Sequence, residues 1–169
     1  GPVVGTLMSN LGLELALRDL GIGFRRARVG DRYVLAMLKE TGGVIGGETS
    51  GHVLCLDRAT TGDALVSALQ VLAEVRRTGL TLAQLAAGVP HFPQVLLNVR
   101  VAKRFDPSQV PEIRAAVADV ERELGESGRV VLRASGTEPV IRVMVEGRDE
   151  AHTRACAERI VRAVESTVS

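Results

Sequence analysis

The sequence predicts two domains of different fold class, α/β plus α+β: a βαβ-type domain with a mixed sheet, followed by a small β-α-β-β-α domain with an antiparallel sheet. In the first half, short apolar runs alternate with stripes of apolar residues at helical spacing, which is typical of βαβ units. From residue 95 onward, apolar residues recur at every second position, which indicates a strand with one covered face. Residues 88–93 contain two prolines and separate the two patterns. We therefore predict domains at residues 1–90 and 91–169.

The first half contains four predicted strands and three main predicted helices. The strands are residues 3–7, 24–29, 44–45 and 53–56. Apolar residues at helical spacing mark the core-facing side of each helix: Leu13, Ala16, Leu17 and Leu20 in the first, Val34, Met37 and Leu38 in the second, and Leu65, Ala68, Leu69, Leu72 and Val75 in the third. We expect Thr60 or Thr61 to cap the third helix and Asp31 to cap the second.

The second half begins with a strand whose alternating positions are Val95, Leu97, Val99 and Val101. Asp106, Pro107 and Gln109 are an N-cap acid, a first-turn proline and a third-position glutamine, so a helix is predicted to start there. Two more strands, residues 130–134 and 140–146, precede a last helix. The buried face of that helix is predicted to contain Ala157, Ile160, Val161 and Val164.

Composition excludes several classes of partner. The chain has 169 residues, is 46% hydrophobic and carries a formal net charge of +1, so it lacks the basic excess that favours nucleic acid or an anionic membrane. No apolar run approaches the roughly 20 residues of a membrane-spanning helix, and we expect a cytoplasmic protein. Cys55 and Cys156 lie in apolar surroundings and are expected to be buried, reduced thiols. We find no phosphate-binding P-loop and no metal-spaced His and Cys set, and His91 and His152 stand alone in the sequence.

A polar loop between the last two predicted strands has the composition of an anion site. It contains Arg133, Ser135, Gly136 and Thr137, and Arg142 follows. Arginine forks match phosphate oxygens, hydroxyls add neutral donors, and glycine lets backbone N–H groups approach a ligand closely. The alternative is an ordinary solvated hairpin loop.

A second polar loop, residues 46–52, has the composition of a sugar site. Glu48 and Ser50 lie between glycines, and a carboxylate can accept hydrogen bonds from two vicinal sugar hydroxyls while a serine donates or accepts beside it. The alternative is a tight turn with an exposed Glu. For His52, a half-buried histidine bonded to backbone is the alternative to a functional one. Arg32, next to Asp31, could reach into a cleft.

These two loops, in this order, resemble the α-D-phosphohexomutase family. That family has a Gly-Glu-x-Ser-Gly-His loop in its third domain, matched by Glu48, Ser50 and His52. An Arg-x-Ser-(Gly or Asn)-Thr loop in its fourth domain is matched by Arg133, Ser135, Gly136 and Thr137. Longer strings at residues 3–14, 29–34 and 133–147 resemble the branch that acts on amino sugars. Thr49 stands where that branch usually has Gln, a variable position.

The resemblance implies that the chain holds the third domain, incomplete because its first helix is missing, and the fourth domain. It implies interconversion of glucosamine 6-phosphate and glucosamine 1-phosphate through a glucosamine 1,6-bisphosphate intermediate, for UDP-N-acetylglucosamine and cell-wall precursor synthesis. Glu48, Ser50, His52 and Arg32 would bind the sugar. Arg133, Ser135, Gly136, Thr137 and Arg142 would bind the phosphate.

The family's phosphoserine segment and its Mg²⁺-binding aspartate loop do not occur in these residues. We therefore expect no catalytic residue and no metal ligand here, with domains 1 and 2 of the same chain as partners and Mg²⁺ as the cofactor of the complete enzyme. Two alternatives stay open. One is phosphoglucomutase or phosphomannomutase specificity within the same family, against which residues 31–33 favour the amino-sugar branch. The other is a binding module that senses a sugar phosphate without converting it.

Overall fold

A computed structural model describes residues 1–136 and 138–168 of the chain. The chain forms two compact units, residues 1–91 and residues 92–169. Each unit has its own sheet and its own buried cluster of apolar side chains. Unit 1 is an α/β unit with a mixed sheet, and unit 2 is an α+β unit with an antiparallel sheet, so the predicted fold classes are confirmed.

Unit 1 alternates strands and helices over most of its length. Its elements are β1 (Val3–Thr6), α1 (Leu11–Asp19), β2 (Phe24–Ala27), α2 (Asp31–Thr41), β3 (Ile45–Gly47), β4 (Val53–Cys55), α3 (Ala64–Thr78) and α4 (Leu82–Ala86). The strand order is β2-β1-β3-β4, in which β1 pairs in parallel with β2 and β3 while β4 is antiparallel to β3. The two parallel pairs confirm the βαβ prediction.

The core of unit 1 is small and lies between the sheet and α2. Val34 and Leu38 of α2 are fully buried, as predicted, and pack with Val4, Ala27 and Leu54 of the strands. Gly46 is required by this packing, because a Cβ there would lie 2.7 Å from Val34 Cγ1 and 2.8 Å from the Val4 carbonyl oxygen.

Two predicted core-facing stripes of unit 1 are buried only in part or not at all. In α1, Leu13, Ala16 and Leu17 are half-buried, and Leu20, which follows the helix, is 73% exposed. In α3 no residue is buried, and Leu65, Leu69 and Leu72 are 78%, 62% and 61% exposed. The spacing predicted the helices correctly, but spacing does not determine whether another element covers the apolar face.

Two predicted helix caps in unit 1 are wrong. The N-cap of α3 is Asp63 rather than Thr60 or Thr61, since its Oδ1 accepts hydrogen bonds from the N–H groups of Leu65 and Val66. The N-cap of α2 is Gly30, and Asp31 lies one position inside the helix.

Unit 2 packs two long helices on one face of a three-stranded sheet. Its elements are β5 (Gln94–Arg100), α5 (Pro111–Leu124), β6 (Gly128–Ala134), β7 (Val140–Gly147) and α6 (Glu150–Val168), and β7 is the central strand of the order β5-β7-β6. Burial alternates along β5 as the sequence predicts, with Val95 and Val99 buried. The buried apolar residues of the core are Val95, Val99, Val101, Ile113, Val120, Leu124, Ile141, Val143, Val145, Cys156, Ala157, Ile160 and Val164.

The helix predicted at Asp106 starts there only as a single 3-10 turn, Pro107–Gln109. Asp106 is its N-cap and accepts the Ser108 N–H, as the cap pattern predicts. The α-helix proper begins at Pro111, and Val110 before it is extended (φ −95°, ψ 117°). A proline disfavours helical angles at the preceding residue, so Pro111 separates the turn from the helix.

Among residues 1–136 and 138–168, every helix is too short or too polar to span a lipid bilayer.

Candidate functional site

The loop at residues 48–52 lies at the carboxyl edge of the parallel strands of unit 1. It follows β3, and the turns after β1 and β2 reach the same edge because all three strands run in one direction. The chain passes from β1 outward to β2 and then back to β3 on the other side of β1. Such a switch point leaves a crevice at the carboxyl edge, the usual ligand position in open α/β sheets.

The half-buried Glu48 links this loop to the start of α2. Its Oε2 accepts a hydrogen bond of 2.8 Å from the Gly30 N–H, and its own N–H donates to the His52 carbonyl. Gly30 has φ 127° and Gly51 has φ 94°, angles that side-chain-bearing residues rarely adopt. The carboxylate is therefore held in place at the sheet edge through Oε2, and Oε1 takes no part in this hydrogen bond.

The other sugar-site candidates of unit 1 lie on the surface. Ser50 and His52 are exposed, and Ser50 Oγ lies 3.1 Å from His52 Nδ1. The alternative of a half-buried His52 bonded to backbone is therefore wrong. Arg32 is exposed as well, and its Nη2 donates to the Tyr33 hydroxyl at 2.7 Å.

The turn after β1 contributes residues at the same edge that sequence reasoning missed. Ser9 and Asn10, with Glu48 and Thr49, line one part of a cavity of about 390 Å³, whose other walls are mainly apolar residues of the strands and α1, including Val3, Leu13, Phe24, Ile45 and Val53. Arg26 stabilises this turn, because its Nη1 donates to the carbonyl oxygens of Thr6 and Ser9. The family resemblance at residues 3–14 included this turn. Sequence reasoning missed its residues because none of them has an obvious chemical role by itself.

In unit 2, the strand register places two candidate arginines opposite each other. Arg133 of β6 pairs with Arg142 of β7, so their side chains leave the same face of the sheet with Cβ atoms about 4.5–5.5 Å apart. Asn98 of β5 pairs with Arg142 on its other side and completes a polar row across the sheet. This row lies on the face away from the helices, since Ile141 and Val143 on either side of Arg142 belong to the core.

Arg133 and Arg142 repel each other, and one donor of Arg142 is unsatisfied in the described residues. Burial and the charge of Arg142 lower the pKa of the Arg133 guanidinium from its ordinary value. Arg142 Nε is buried and has no hydrogen-bond partner within residues 1–136 and 138–168. The neighbouring carboxylate of Glu138 is 62% exposed and lies 3.7 Å from Arg142 Nη2, beyond hydrogen-bonding distance. An anion placed between the arginines would therefore gain hydrogen bonds and relieve their repulsion.

The rest of the phosphate loop is only partly described. Ser135 is 4% exposed, its N–H donates to the Val140 carbonyl, and its Oγ lies 3.4 Å from the Glu138 nitrogen. Gly136 is exposed, and a Cβ there would meet nothing within 4 Å. The fold itself therefore does not require glycine at this position. Thr137 lies outside the described residues.

His152 is not isolated, contrary to the sequence expectation. Its Nε2 lies 2.5 Å from Glu123 Oε1 and 3.6 Å from Cys156 Sγ, so a His and Cys set does occur in unit 2. The signal that could have revealed it is the four-residue spacing of His152 and Cys156 on a helix.

Comparisons with known proteins agree with this architecture. Residues 1–92 match the family model "Phosphoglucomutase/phosphomannomutase, alpha/beta/alpha domain III", and residues 96–163 match that family's C-terminal domain. The chain is 60% identical to a phosphoglucosamine mutase of Methylococcus capsulatus over 164 residues and 58% identical to one of Aeromonas hydrophila over 166 residues. These matches span 97% and 98% of this chain but only 37% of the length of each relative.

Solved structures of low sequence identity share the fold. An N-acetylphosphoglucosamine mutase of Aspergillus fumigatus superposes with a TM-score of 0.83 at 21% identity, covering 99% of this chain and 38% of that chain. A second structure of that enzyme, in complex with GlcNAc-6P and magnesium, gives a TM-score of 0.78 at 21% identity over 96% of this chain and 41% of that chain. The chain thus belongs to the phosphoglucomutase/phosphomannomutase family, of which it contains domain III and the C-terminal domain.

Proposed function

We propose that this chain is the substrate-positioning part of a phosphoglucosamine mutase that interconverts glucosamine 6-phosphate and glucosamine 1-phosphate through the 1,6-bisphosphate. The observation that carries the proposal is the opposed pair Arg133 and Arg142, with a buried Arg142 Nε that has no partner in the described residues. The identity of about 60% to proteins of that name supports the amino-sugar specificity.

In this proposal, unit 2 binds the phosphate that is not being transferred. The two guanidinium groups provide paired donors to its oxygens, Ser135 and Thr137 add hydroxyls, and Gly136 allows the backbone to approach. Phosphoryl transfer depends mainly on alignment and on stabilisation of charge, so fixing one phosphate positions the other for reaction.

In the same proposal, unit 1 reads the sugar. Glu48 accepts hydrogen bonds from the 3-OH and 4-OH, Ser50 donates or accepts beside it, and His52 and Arg32 line the same edge. The bisphosphate must be held in two orientations, and these hydroxyls are common to both. Because the Gly30 N–H already fixes the Glu48 carboxylate, this side chain does not have to become ordered when the sugar binds.

Magnesium does not fit the residues present. Mg²⁺ prefers an octahedral set of oxygen ligands. In the described part of the chain, the one group of three closely spaced ligand side chains consists of a thiol, an imidazole and a carboxylate. We therefore assign magnesium no role in these two units. Because the phosphoserine segment does not occur in these residues either, we expect the 169-residue chain alone to have no mutase activity. Its cytoplasmic location stays a prediction.

The phosphate site is tested by NMR titration of the 169-residue chain with glucosamine 6-phosphate, inorganic phosphate and glucosamine. Glucosamine 6-phosphate and inorganic phosphate should both shift the amide signals of residues 133–142. Only the two ligands that contain a sugar, glucosamine 6-phosphate and glucosamine, should shift those of residues 48–52. Arg142→Gln should weaken phosphate binding about tenfold or more, because hydrogen bonds to charged groups contribute about 1.5–3 kcal/mol.

The matched control is Arg122→Gln, which removes the same charge from an exposed position on α5. It should leave the titration unchanged. Silent amides at residues 133–142, or equal losses in both variants, would contradict the phosphate site. Comparing kcat/KM of the complete protein for glucosamine, glucose and mannose phosphates then distinguishes the amino-sugar specificity from the other two.

A further inference from the structure

Glu123, His152 and Cys156 form a three-residue cluster on the helical side of unit 2. Glu123 lies near the end of α5, and His152 and Cys156 lie one turn apart on α6. Each residue offers one ligand atom, and these atoms all lie within 4.8 Å of one another. The cluster is on the opposite side of the sheet from Arg133 and Arg142, since both helices pack on the other face.

The spacing of the three atoms fits a tetrahedral ion of the zinc type. With bonds of about 2.0–2.1 Å to nitrogen or oxygen and about 2.3 Å to sulfur, ligand atoms around tetrahedral Zn²⁺ are about 3.4–3.6 Å apart. Cys156 Sγ lies 3.6 Å from His152 Nε2 and 3.7 Å from Glu123 Oε1. Only the contact of 2.5 Å between His152 Nε2 and Glu123 Oε1 would have to open.

The surroundings hold the ligands in position and leave an entrance. Arg159 Nη1 donates to Glu123 Oε2 at 2.5 Å, which leaves Oε1 facing the cluster. The backbone N–H of His152 donates to Asp149 Oδ1, and this hydrogen bond fixes the first turn of α6. The side chains of His152 and Glu123 are 46% and 38% exposed, while Cys156 is fully buried beneath them. The imidazole and the carboxylate are therefore accessible to an ion from solvent, and the sulfur lies 3.6 Å from the imidazole nitrogen.

We propose that Glu123, His152 and Cys156 bind a divalent ion of the Zn²⁺ class, with water as a fourth ligand. Thiolate and imidazole ligands favour Zn²⁺ and Co²⁺ over Mg²⁺, which prefers oxygen alone. The bound ion joins α5 to α6 and stabilises the helical layer of unit 2. This site is separate from the substrate site and independent of the proposed function.

The test is titration of the reduced 169-residue chain with Co²⁺, followed by displacement with Zn²⁺ and with Mg²⁺. We expect one Co²⁺ per chain, a near-ultraviolet charge-transfer band from the thiolate, displacement by Zn²⁺ and none by Mg²⁺. Zn²⁺ should also raise the melting temperature of the chain.

The variants identify the ligands. Cys156→Ser should abolish the charge-transfer band, and His152→Gln and Glu123→Gln should each weaken Zn²⁺ binding by at least the roughly tenfold that loss of an outer-shell partner alone costs. His152 and Glu123 are partly exposed, so both variants should fold, as circular dichroism will show. Cys55→Ser and His91→Gln are the matched controls and should bind normally. Absence of the band with Co²⁺ in excess, its persistence in Cys156→Ser, or its loss in Cys55→Ser would overturn the proposal.

Discussion

Units 1 and 2 contain similar numbers of residues but bury their apolar side chains to different extents. In the described residues, thirteen buried side chains form the core of unit 2, whereas five form that of unit 1. Unit 2 places two helices on its sheet, and their apolar faces are covered. Unit 1 leaves all of α3 without a buried residue. An amphipathic pattern occurs in the helices of both units, so the difference shows that a pattern describes what a helix can bury and not what it does bury.

We expect the largest loss of stability when the buried ion pair of unit 2 is broken. Glu146 is fully buried, and its Oε2 lies 2.6 Å from Arg129 Nε. Arg129→Met removes this cation from beside the buried carboxylate and should cost about 3–5 kcal/mol in the free energy of unfolding, measured with urea. The double variant Arg129→Met/Glu146→Met should recover most of the loss, and a double variant as unstable as the single one would contradict this explanation.

Truncation in the core of unit 2 should have the next largest effect. Ile160 of α6 is fully buried among the thirteen core residues. Ile160→Ala should lower the free energy of unfolding by about 2–5 kcal/mol, because it leaves a cavity as well as losing buried area. Urea unfolding followed by NMR signals of unit 2 measures it. A cost below 1 kcal/mol, on the order of a surface change, would mean that this core is loosely packed.

Removal of the α3 cap should act locally. Asp63→Ala removes the acceptor of two backbone N–H groups and should destabilise the helix by about 0.5–2 kcal/mol. Since α3 buries no side chain, we expect faster hydrogen exchange within α3 and little change in the strands β1 and β3. Equal acceleration throughout unit 1 would show that α3 is coupled to its sheet.

The smallest effect is expected at the exposed face of α3. Leu69 is 62% exposed, so Leu69→Ala should change the free energy of unfolding by less than about 0.5 kcal/mol. It is the matched partner of Ile160→Ala, since both shorten an aliphatic side chain on a long helix. A cost near that of Ile160→Ala would mean that α3 is covered in solution, and the contrast between the two units would then fail.

Much of the fold could be predicted from sequence because it depends on near neighbours in the chain. Helical spacing revealed α2 and α6, alternation revealed β5, and the cap at Asp106 was correct. Pro111 shows the limit of such rules, because the residue before a proline avoids helical angles and the helix restarted four residues after Pro107. The polar loops of both units were found from composition alone, and their roles stay proposals.

The sequence by itself determined which segments form helices and strands and which loops concentrate donors and acceptors, because backbone sterics and local hydrogen bonds act over a few residues. Only the tertiary structure decided which apolar faces are covered and which distant residues meet. Asn98 and Arg133 flank Arg142 because of strand register, and Glu123 reaches His152 because α5 packs against α6. Register and helix packing depend on the whole core, and no local pattern contains them.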